Sequence, residues 1–449
     1  MAGEVARFQE LLRLETVSAR IGEPKIRDSF EALFSFVERS YPALRKYAEF
    51  ILEPPWRIVI EIRGSREELS PLLLLAHFDV VDVESGTASD WTHPPFEATE
   101  DKGALWGRGT LDDKCCVAAL LEAAERTLAN GTHPERGFVL AFGGDEELSG
   151  KNGAATIASR FKSEGRRFHA VVDEGAIVAR GMIQDPTAPI ALIGIAEKGF
   201  VNIQIEAAGS GGHAAMPSRT TALGDVARAV ATVEKHPFRA RLLPTIQEFF
   251  EALGARASFP TRAIFSKSKL LWPLLSKVLA AKPTTDALIR TTQAVTMASG
   301  SAAPGVLPQR ARAVINSRIL PGESTQDVLA HYRRLLADHP VRVSIAPEGD
   351  AGEPVLRSST DHSSYRSLIA LIERHFPDAI PAPYLVTAST DSKWYAELAD
   401  ATYRFVPVEL SNEELAGIHG TDEHIDTDAY KRMIAFYAEF IARECCNGE

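Results

Sequence analysis

Residues 72–79 constrain the fold more strongly than any other part of this 449-residue chain. They open with an unbroken apolar run, Leu72 to Leu75, which is typical of a strand buried on both faces of a sheet. Residues 138–142 and 169–172 have the same character, and a helix with one apolar stripe is predicted from about Asp113. Buried strands that alternate with helices predict an α/β domain with a mostly parallel sheet flanked by helices.

A different pattern begins near Gly194. Apolar and polar residues alternate from Phe200 to Glu206, which predicts a strand with one exposed face. The strands and helices that follow predict a small α+β domain at 194–352, inserted between two parts of the α/β domain at 1–193 and 353–449. Residues 236–299 are helical in pattern and partly apolar, and the sequence indicates no role for them.

The composition indicates which partners and which cellular compartment to expect. The 60 acidic and 49 basic residues give a net charge of −11, which disfavours nucleic acid as a partner. The four cysteines form two adjacent pairs rather than a disulfide framework, which favours a reducing compartment. No signal-peptide core is evident, and no apolar run approaches the roughly 20 residues that span a bilayer. We therefore expect a cytoplasmic protein with no membrane partner.

Acidic and histidine residues cluster where the predicted strands end. His77 and Asp79 lie two apart in an extended segment and point the same way, so one could bind a metal while the other orients it. Asp112-Asp113 precedes a helix, and Asp145-Glu-Glu147 and Asp173-Glu174 each follow a strand. A single acidic pair after a strand is a helix cap or part of a solvated loop about as often as it is part of a functional site. Four clusters at the edge where open α/β sheets place their sites predict a site for zinc or a similar divalent ion.

The ordered motifs resemble those of the M20 metallopeptidases. The four motifs are His77-Phe-Asp79, Gly107-Arg-Gly-Thr-Leu-Asp-Asp-Lys114, Gly144-Asp-Glu-Glu147 and Asp173-Glu-Gly175. Gly199, Gly211-Gly-His213 and Ile418-His-Gly420 are most similar to the carboxypeptidase S and N-acyl-amino-acid hydrolase branch. The resemblance spans about residues 11–443. It implies a zinc-exopeptidase-like α/β domain whose inserted, ferredoxin-like domain serves as a lid and as the contact of a homodimer.

The resemblance also implies two divalent metal ions about 3.5–4 Å apart. Zinc is the first expectation, and manganese and cobalt are the alternatives. In the family pattern Asp112 bridges the ions. His77 and Asp173 complete the site of one ion, and Glu147 and His419 complete the other.

Two further residues surround these ligands in the family pattern, and one more histidine is an alternative to His419, which the family position favours. Asp79 holds His77 in the tautomer that binds metal. Glu146 is the general base, which takes a proton from the attacking water and passes it to the leaving amine. His424 lies five residues after His419 and is the alternative histidine ligand in this sequence.

The resemblance assigns the substrate end to the inserted domain and to one later loop. His213 reaches the neighbouring subunit's site and stabilises the oxyanion. Arg318 grips a substrate carboxylate, which its planar fork can bind bidentately. The backbone N–H groups of Ser389 and Thr390 hold the same carboxylate. The chain departs from the family at Gly305-Val-Leu-Pro308 and Ala388-Ser-Thr-Asp391, and both departures affect the substrate end.

Three functional hypotheses follow. The first is a di-zinc hydrolase that cleaves an amide next to a free carboxylate in a dipeptide, a C-terminal residue or an N-acyl amino acid. The second is a deacylase or carbamoylase that acts on a non-peptide amide. The third, from a different class, is a catalytically inactive metal-binding scaffold. The presence of Glu146 disfavours the third, since a scaffold has no use for a base beside a metal pair.

Overall fold

The computed structural model describes residues 3–131, 133–182, 187–347, 349 and 351–446. These residues form a ten-stranded sheet flanked by helices, a four-stranded antiparallel sheet, and two small sheets of two and three strands. The centre of the large sheet is parallel, so the predicted fold class is confirmed.

The first part of the chain supplies most of the large sheet. Its helices are α1 (Glu4–Leu12), α2 (Pro24–Ser40), α3 (Pro42–Tyr47), α4 (Lys114–Ala129) and α5 (Ala154–Ser163). Its strands are β1 (Ala48–Glu53), β2 (Arg57–Ile62), β3 (Leu72–His77), β4 (Thr99–Asp101), β5 (Ala104–Trp106), β6 (Phe138–Gly143), β7 (Ala170–Asp173), β8 (Val178–Ala179) and β9 (Ile190–Glu197).

The middle part forms the four-stranded sheet and a group of helices. Its helices are α6 (Ala222–Lys235), α7 (Pro244–Arg256), α8 (Phe259–Ser266), α9 (Ser268–Leu279), α10 (Pro283–Ile289) and α11 (Thr325–Leu335). Its strands are β10 (Gly199–Ala208), β11 (Gly212–His213), β12 (Thr292–Ser299), β13 (Val306–Leu307), β14 (Arg310–Ile319) and β15 (Arg342–Ile345).

The last part returns to the large sheet. Its helices are α12 (Ser363–His375), α13 (Asn412–Leu415) and α14 (Thr427–Cys445). Its strands are β16 (Ile380–Val386), β17 (Thr402–Arg404), β18 (Glu409–Leu410) and β19 (His424–Asp426).

Strand β3 lies in the middle of the large sheet and is covered on both faces. The sheet has the order β1-β2-β6-β3-β7-β17-β9-β8-β18, and β16 pairs with β9. Leu72 and Leu74 pack in one apolar cluster with α1, α4 and α14, whereas Leu73 and Leu75 pack on the opposite face with α5. Each buried leucine contributes about 1.5–3 kcal/mol of apolar burial. Strands β6, β3 and β7 run parallel, so their carboxyl ends meet at one edge of the sheet.

The middle part has the β-α-β-β-α-β order of a ferredoxin-like domain. Its sheet has the order β12-β14-β10-β15 with every neighbour antiparallel. The alternate residues Val201, Ile203 and Ile205 pack in one apolar cluster with α6 and α11. Strand β9 stays in the large sheet through Glu197, and β10 starts the second sheet at Gly199.

Helices α7 to α10 occupy the segment for which the sequence indicated no role. They lie between α6 and β12 in the chain, but α7 packs against β16 of the large sheet. Phe249 and Phe250 of α7 share an apolar cluster with Leu192 of β9 and Leu385 of β16. None of the described helices combines the length and the hydropathy that a membrane crossing requires.

Candidate active site

Four of the predicted metal ligands meet at the carboxyl edge of the large sheet. Asp112 lies between two histidines: its Oδ1 is 2.9 Å from Nε2 of His77, and its Oδ2 is 3.0 Å from Nε2 of His419. The same His419 nitrogen is 3.2 Å from Oε1 of Glu147. Ligand atoms of His77, Asp112 and Glu147 all lie within 4.8 Å of one another. An aspartate that offers one oxygen to each histidine has the arrangement that a bridging ligand requires.

The parallel strands position these side chains. His77 ends β3, and Glu147 lies in the short 3₁₀ turn Glu146–Leu148 that follows β6. Asp112 lies just before α4, and its peptide bond to Asp113 is cis. Asp173 ends β7 at the same edge and is buried, and its Oδ2 accepts the backbone N–H of Ser392 at 2.7 Å.

Asp79 connects the histidine to the glutamate turn. Its carboxylate is fully buried and accepts the backbone N–H groups of Glu146 at 3.1 Å and Glu147 at 3.3 Å. Nδ1 of His77 lies 3.1 Å from the Asp79 carbonyl and 3.3 Å from its carboxylate. These acceptors hold a proton on Nδ1 and leave Nε2 facing Asp112. A hydrogen bond of this kind on the other ring nitrogen orients a metal-binding histidine.

The carboxylates and imidazoles of this cluster shift one another's pKa values. Hydrogen bonds to Asp112 and Glu147 raise the pKa of His419 to about 10. Burial alone would lower the pKa of His77, but its bonds to Asp112 and Asp79 raise it well above the ordinary value. Burial alone would raise the pKa of Asp112, but the two histidines lower it. Imidazole and carboxylate donors that compete for positive charge fit zinc or a similar divalent ion.

Glu146 has the properties of a proton-transfer group. Burial raises the pKa of its carboxyl well above the ordinary value, His77 opposes this shift, and Asp391 adds to it. Asp391 is itself buried, and burial raises the pKa of its carboxyl to about 8. A carboxyl group with a raised pKa is a stronger base than an ordinary carboxylate, as a proton acceptor requires.

The organising contact that the sequence did not reveal is Glu423. Its buried carboxylate accepts N–H donors from Arg108 at 2.7 Å, from Gly109 at 3.1 Å, from Leu111 at 2.7 Å and from Asp112 at 3.2 Å. Arg108 also donates to the carbonyl of Gly420 at 2.8 Å, next to His419. Glu423 therefore ties the loop that carries Asp112 to the loop that carries His419. In the sequence it stands in a polar stretch that resembles a solvated loop.

A second buried ion pair lies where the two sheets join. Glu197, the last residue of β9, accepts Nε of Arg404 at 2.8 Å, and both residues are almost completely buried. Glu197 also accepts the backbone N–H of Thr390 at 3.1 Å and its hydroxyl at 2.8 Å. In the sequence, this pair is marked only by a charged residue at the end of each of the strands β9 and β17.

These contacts bear on the loop that was predicted to hold a substrate carboxylate. The backbone N–H of Thr390 is already used by Glu197, and the hydroxyl of Ser389 accepts Nζ of Lys393 at 3.2 Å. The role predicted for Ser389 and Thr390 stays a prediction, and in this conformation the Thr390 N–H donates to the Glu197 carboxylate.

The other predicted substrate residues lie in the middle part of the chain. Arg318 on β14 lies over the ring of Phe200, with Cζ 5.4 Å from the ring centroid, and partial burial lowers the pKa of its guanidinium. His213 on β11 is exposed, and its Nδ1 accepts the backbone N–H of Ala215 at 3.0 Å. His424 stacks on Trp106 with ring centroids 4.2 Å apart, so His419 is the histidine that reaches Asp112.

An apolar cavity of about 680 Å³ opens beside the cluster. Asp112 and Glu174 are among its polar lining residues, and most of the rest of its wall is apolar. Large apolar lining residues come from β9, α7, α9, α10 and the segment around β18: Leu192, Ile246, Phe249, Phe250, Leu253, Leu279, Leu288, Val406, Val408 and Leu410. The cavity has the size of a pocket for a small organic ligand.

Comparison with known proteins assigns this geometry to a family. The sequence pattern of "Peptidase family M20/M25/M40" matches residues 73–443. A Dictyostelium discoideum protein named "Probable carboxypeptidase S-like 2" is 37% identical over 441 residues, which cover 97% of this chain and 84% of the relative. The human "N-fatty-acyl-amino acid synthase/hydrolase PM20D1" is 36% identical over 383 residues, which cover 85% of this chain and 75% of the relative.

Solved structures show the same fold at lower identity. An M20 family metallo-carboxypeptidase from Sulfolobus solfataricus superposes with a TM-score of 0.71 at 18% identity, over 98% of this chain and 99% of the other. Human carnosine dipeptidase 1 superposes with a TM-score of 0.66 at 16% identity, over 98% of this chain and 95% of the other. The predicted resemblance to the carboxypeptidase S and N-acyl-amino-acid hydrolase branch is confirmed by the sequence relatives.

Replacing Glu423 by glutamine should weaken both the fold and the metal centre. The substitution leaves Arg108 buried without its counter-charge, and we expect the free energy of unfolding to fall by about 3 kcal/mol. Because Glu423 holds the loop that carries Asp112, zinc affinity should fall about 10–100-fold. Urea unfolding and competition with a chelator measure the two effects.

Glu413→Gln is the matched control for this experiment, because Glu413 lies on α13 nearby and is exposed. An unchanged zinc affinity in the Glu423 variant would show that the Asp112 loop keeps its shape without that carboxylate.

Proposed function

Because the chain belongs to peptidase family M20/M25/M40 and is a metal-dependent hydrolase, we propose that it cleaves an amide bond next to a free carboxylate with the help of two divalent ions. The observation that carries this proposal is the placement of Asp112 between His77 and His419, with Glu147 in contact and Glu146 one residue away. Zinc is the first expectation for the ions, because the donors are imidazole nitrogens and carboxylate oxygens.

The ligands divide between the two ions. Asp112 contacts both histidines and is proposed to bridge the ions. His77 and Asp173 would hold one ion, and Glu147 and His419 the other. When bound, such a pair of ions lowers the pKa of a water molecule and polarises the scissile carbonyl.

Glu146 would move the protons of the reaction. Its carboxylate takes a proton from the water that attacks the carbonyl carbon, and it gives that proton to the amine nitrogen as the C–N bond breaks. The products are a carboxylic acid and a free amine. Asp79 fixes the Glu146–Glu147 turn through its two backbone hydrogen bonds, so the base and the adjacent ligand keep separate directions.

The substrate carboxylate and the oxyanion would be held by the middle part of the chain. Arg318 is proposed to bind the carboxylate, because its partly buried guanidinium lies near the end of β14, opposite Phe200 of β10. His213 is proposed to stabilise the oxyanion of the partner subunit in a homodimer. The exposure of His213 in the single chain supports a role across a subunit contact.

The acyl side of the substrate is proposed to occupy the apolar cavity. The cavity includes Asp112 in its wall and is otherwise lined largely by α7, α9, α10 and β9. The acyl chain attached to the scissile carbonyl would therefore extend into apolar surroundings. The name of the human relative includes N-fatty-acyl-amino acid hydrolysis, which supports a long acyl group. The carboxypeptidase S-like relative supports a C-terminal peptide bond as the second candidate substrate.

Replacing Glu146 by alanine should leave the metals bound and abolish turnover. Loss of the general base should lower kcat by about 10²–10⁴-fold, because the attacking water then loses its proposed proton acceptor. Metal content measured by mass spectrometry and hydrolysis of N-acyl amino acids and dipeptides give the two readouts. Glu164→Ala, at an exposed position after α5, is the control.

The same assay tests the function as a whole. Metal-free wild-type protein is reloaded separately with zinc, manganese and cobalt before the substrate panel is run. If no reloaded protein hydrolyses any amide in the panel, the hydrolase proposal fails and the scaffold hypothesis gains support.

Two inactive variants should restore activity when they are mixed. His213→Ala should lower kcat about 10²–10³-fold through loss of an oxyanion donor. A hybrid dimer of His213→Ala with Glu146→Ala contains one site with both groups intact if His213 acts across the subunit contact. Hydrolysis after subunit exchange, verified by differently tagged chains, is therefore the expected result. Proven exchange without recovered activity would mean that each site is complete within one chain.

Filling the apolar cavity should select against long acyl chains. Ala179 lines the cavity, and Ala179→Leu should lower kcat/KM for long-chain N-acyl amino acids about tenfold or more, while N-acetyl substrates change little. Ala158→Leu is the matched control, because Ala158 on α5 is equally buried, 5% exposed, and is not among the residues that line the cavity. Equal losses for short and long acyl chains would place the acyl group outside this cavity.

A further inference from the structure

Helices α8 and α9 expose an unusual number of large apolar side chains. Phe259 is 82% exposed, Leu270 77%, Leu274 64% and Val278 61%, and Ile264 is 40% exposed. We call these five residues and the basic residues among and beside them the apolar–basic patch. A set of neighbouring apolar side chains this exposed marks an interaction surface in a folded protein.

The exposed residues of α9 form one face of a helix. Leu270, Leu274 and Val278 are spaced by four residues, so they lie above one another along the helix. The opposite side faces the protein, where Trp272 and Leu279 pack against the cluster formed with α7. The helix is therefore anchored by one apolar face and presents a second apolar face outward.

The charge of the patch is opposite to that of the chain. Between residues 256 and 282 there are six basic residues and no acidic residue, although the whole chain carries −11. All six are exposed: Arg256, Arg262, Lys267, Lys269, Lys277 and Lys282. An apolar face bordered by lysine and arginine complements an anionic membrane surface, where the apolar side chains enter the interface and the basic groups meet lipid headgroups.

A second protein copy fits this surface less well. Lysine is depleted from protein–protein interfaces because its charge must be desolvated there. Lysine at a bilayer keeps its charge in water while its apolar stem lies along the interface. Lys269 and Lys277, which are adjacent in the chain to the exposed Leu270 and Val278 of α9, therefore favour a lipid surface as the occupant.

The patch and the cavity are two sides of the same helices. Phe265 of α8 and Leu279 of α9 line the cavity from the inside, while their neighbours Ile264 and Val278 are exposed on the outside. A lipid surface held against α8 and α9 would therefore lie one helix thickness from the apolar cavity.

We propose that α8 and α9 dock the protein reversibly on an anionic lipid bilayer and bring the cavity to amphiphilic substrates dissolved in that bilayer. The docking stands on the patch alone, and the delivery of substrate rests on the proposed function. This inference departs from the expectation of no membrane partner, which came from the lack of a signal-peptide core and of an apolar run long enough to span a bilayer. Neither of those properties reports a local surface that only lies on a membrane.

The docking is tested with metal-loaded protein and vesicles of two compositions, phosphatidylcholine alone and phosphatidylcholine mixed with phosphatidylglycerol. Cosedimentation should show binding to the anionic vesicles that weakens with added salt. Each basic residue near an anionic surface strengthens binding about fivefold, so Lys267→Gln, Lys269→Gln and Lys277→Gln together should weaken it on the order of a hundredfold. Leu270→Ser combined with Leu274→Ser should also weaken it.

Matched variants control for general effects of charge and hydropathy. Lys25, Lys102 and Lys162 are exposed lysines outside the patch, and their combined change to glutamine should leave vesicle binding unchanged. Leu356 is 70% exposed outside the patch, and Leu356→Ser controls for Leu270→Ser. Equal binding by wild type and the patch variants, or no wild-type binding to anionic vesicles, would overturn the docking proposal.

Two further readouts separate the remaining outcomes. Patch variants should keep the wild-type rate on water-soluble N-acetyl amino acids and lose rate on long-chain N-acyl amino acids supplied in anionic vesicles. If wild type hydrolyses neither substrate but still binds vesicles, the proposed function fails and the docking stands. If light scattering shows that the patch variants lower the molar mass of the protein in solution, the patch is a contact between copies of the chain, and the membrane proposal is wrong.

Discussion

The buried carboxylate of Glu423 is the interaction on which the rest of the site depends. Burying a glutamate costs several kcal/mol unless its charge and lone pairs are satisfied. Here Arg108 supplies the counter-charge and three backbone N–H groups complete the shell. The same contacts set the shape of the loop before Asp112 and bind it to the loop after His419. Two ligands that lie some three hundred residues apart in the chain thus depend on one side chain.

The metal cluster itself is unbalanced without positive charge. Asp112 and Glu147 hold the histidines with raised pKa values, and burial opposes the ionisation of Glu146 and Asp173. Divalent ions would relieve both effects at once, since they replace protons on the histidines and stabilise the carboxylates. The same charges that are costly to bury together therefore favour a divalent cation among them.

Helices α7 to α10 connect the apolar cavity to the outer surface of the protein. Their inner side packs against β9 and β16 and bounds the apolar cavity, and their outer side carries the apolar–basic patch. The cavity wall and the patch both arise because these helices have more apolar residues than one buried face requires. A helix that is apolar on two sides either packs against protein on both sides or places its second side against another apolar medium, such as a membrane.

The amino-acid sequence by itself determined the sheet and the chemistry. The leucine run of β3 specified a strand covered on both faces, and acidic residues after β3, β6 and β7 predicted a metal site, because parallel strands end at one edge. Only the tertiary structure decided that Glu423 and Arg404 organise the site, since contacts between distant segments leave no local period in a sequence. It also decided what α7 to α10 do: their apolar pattern predicts helices, but which side is buried depends on the sheet against which they pack.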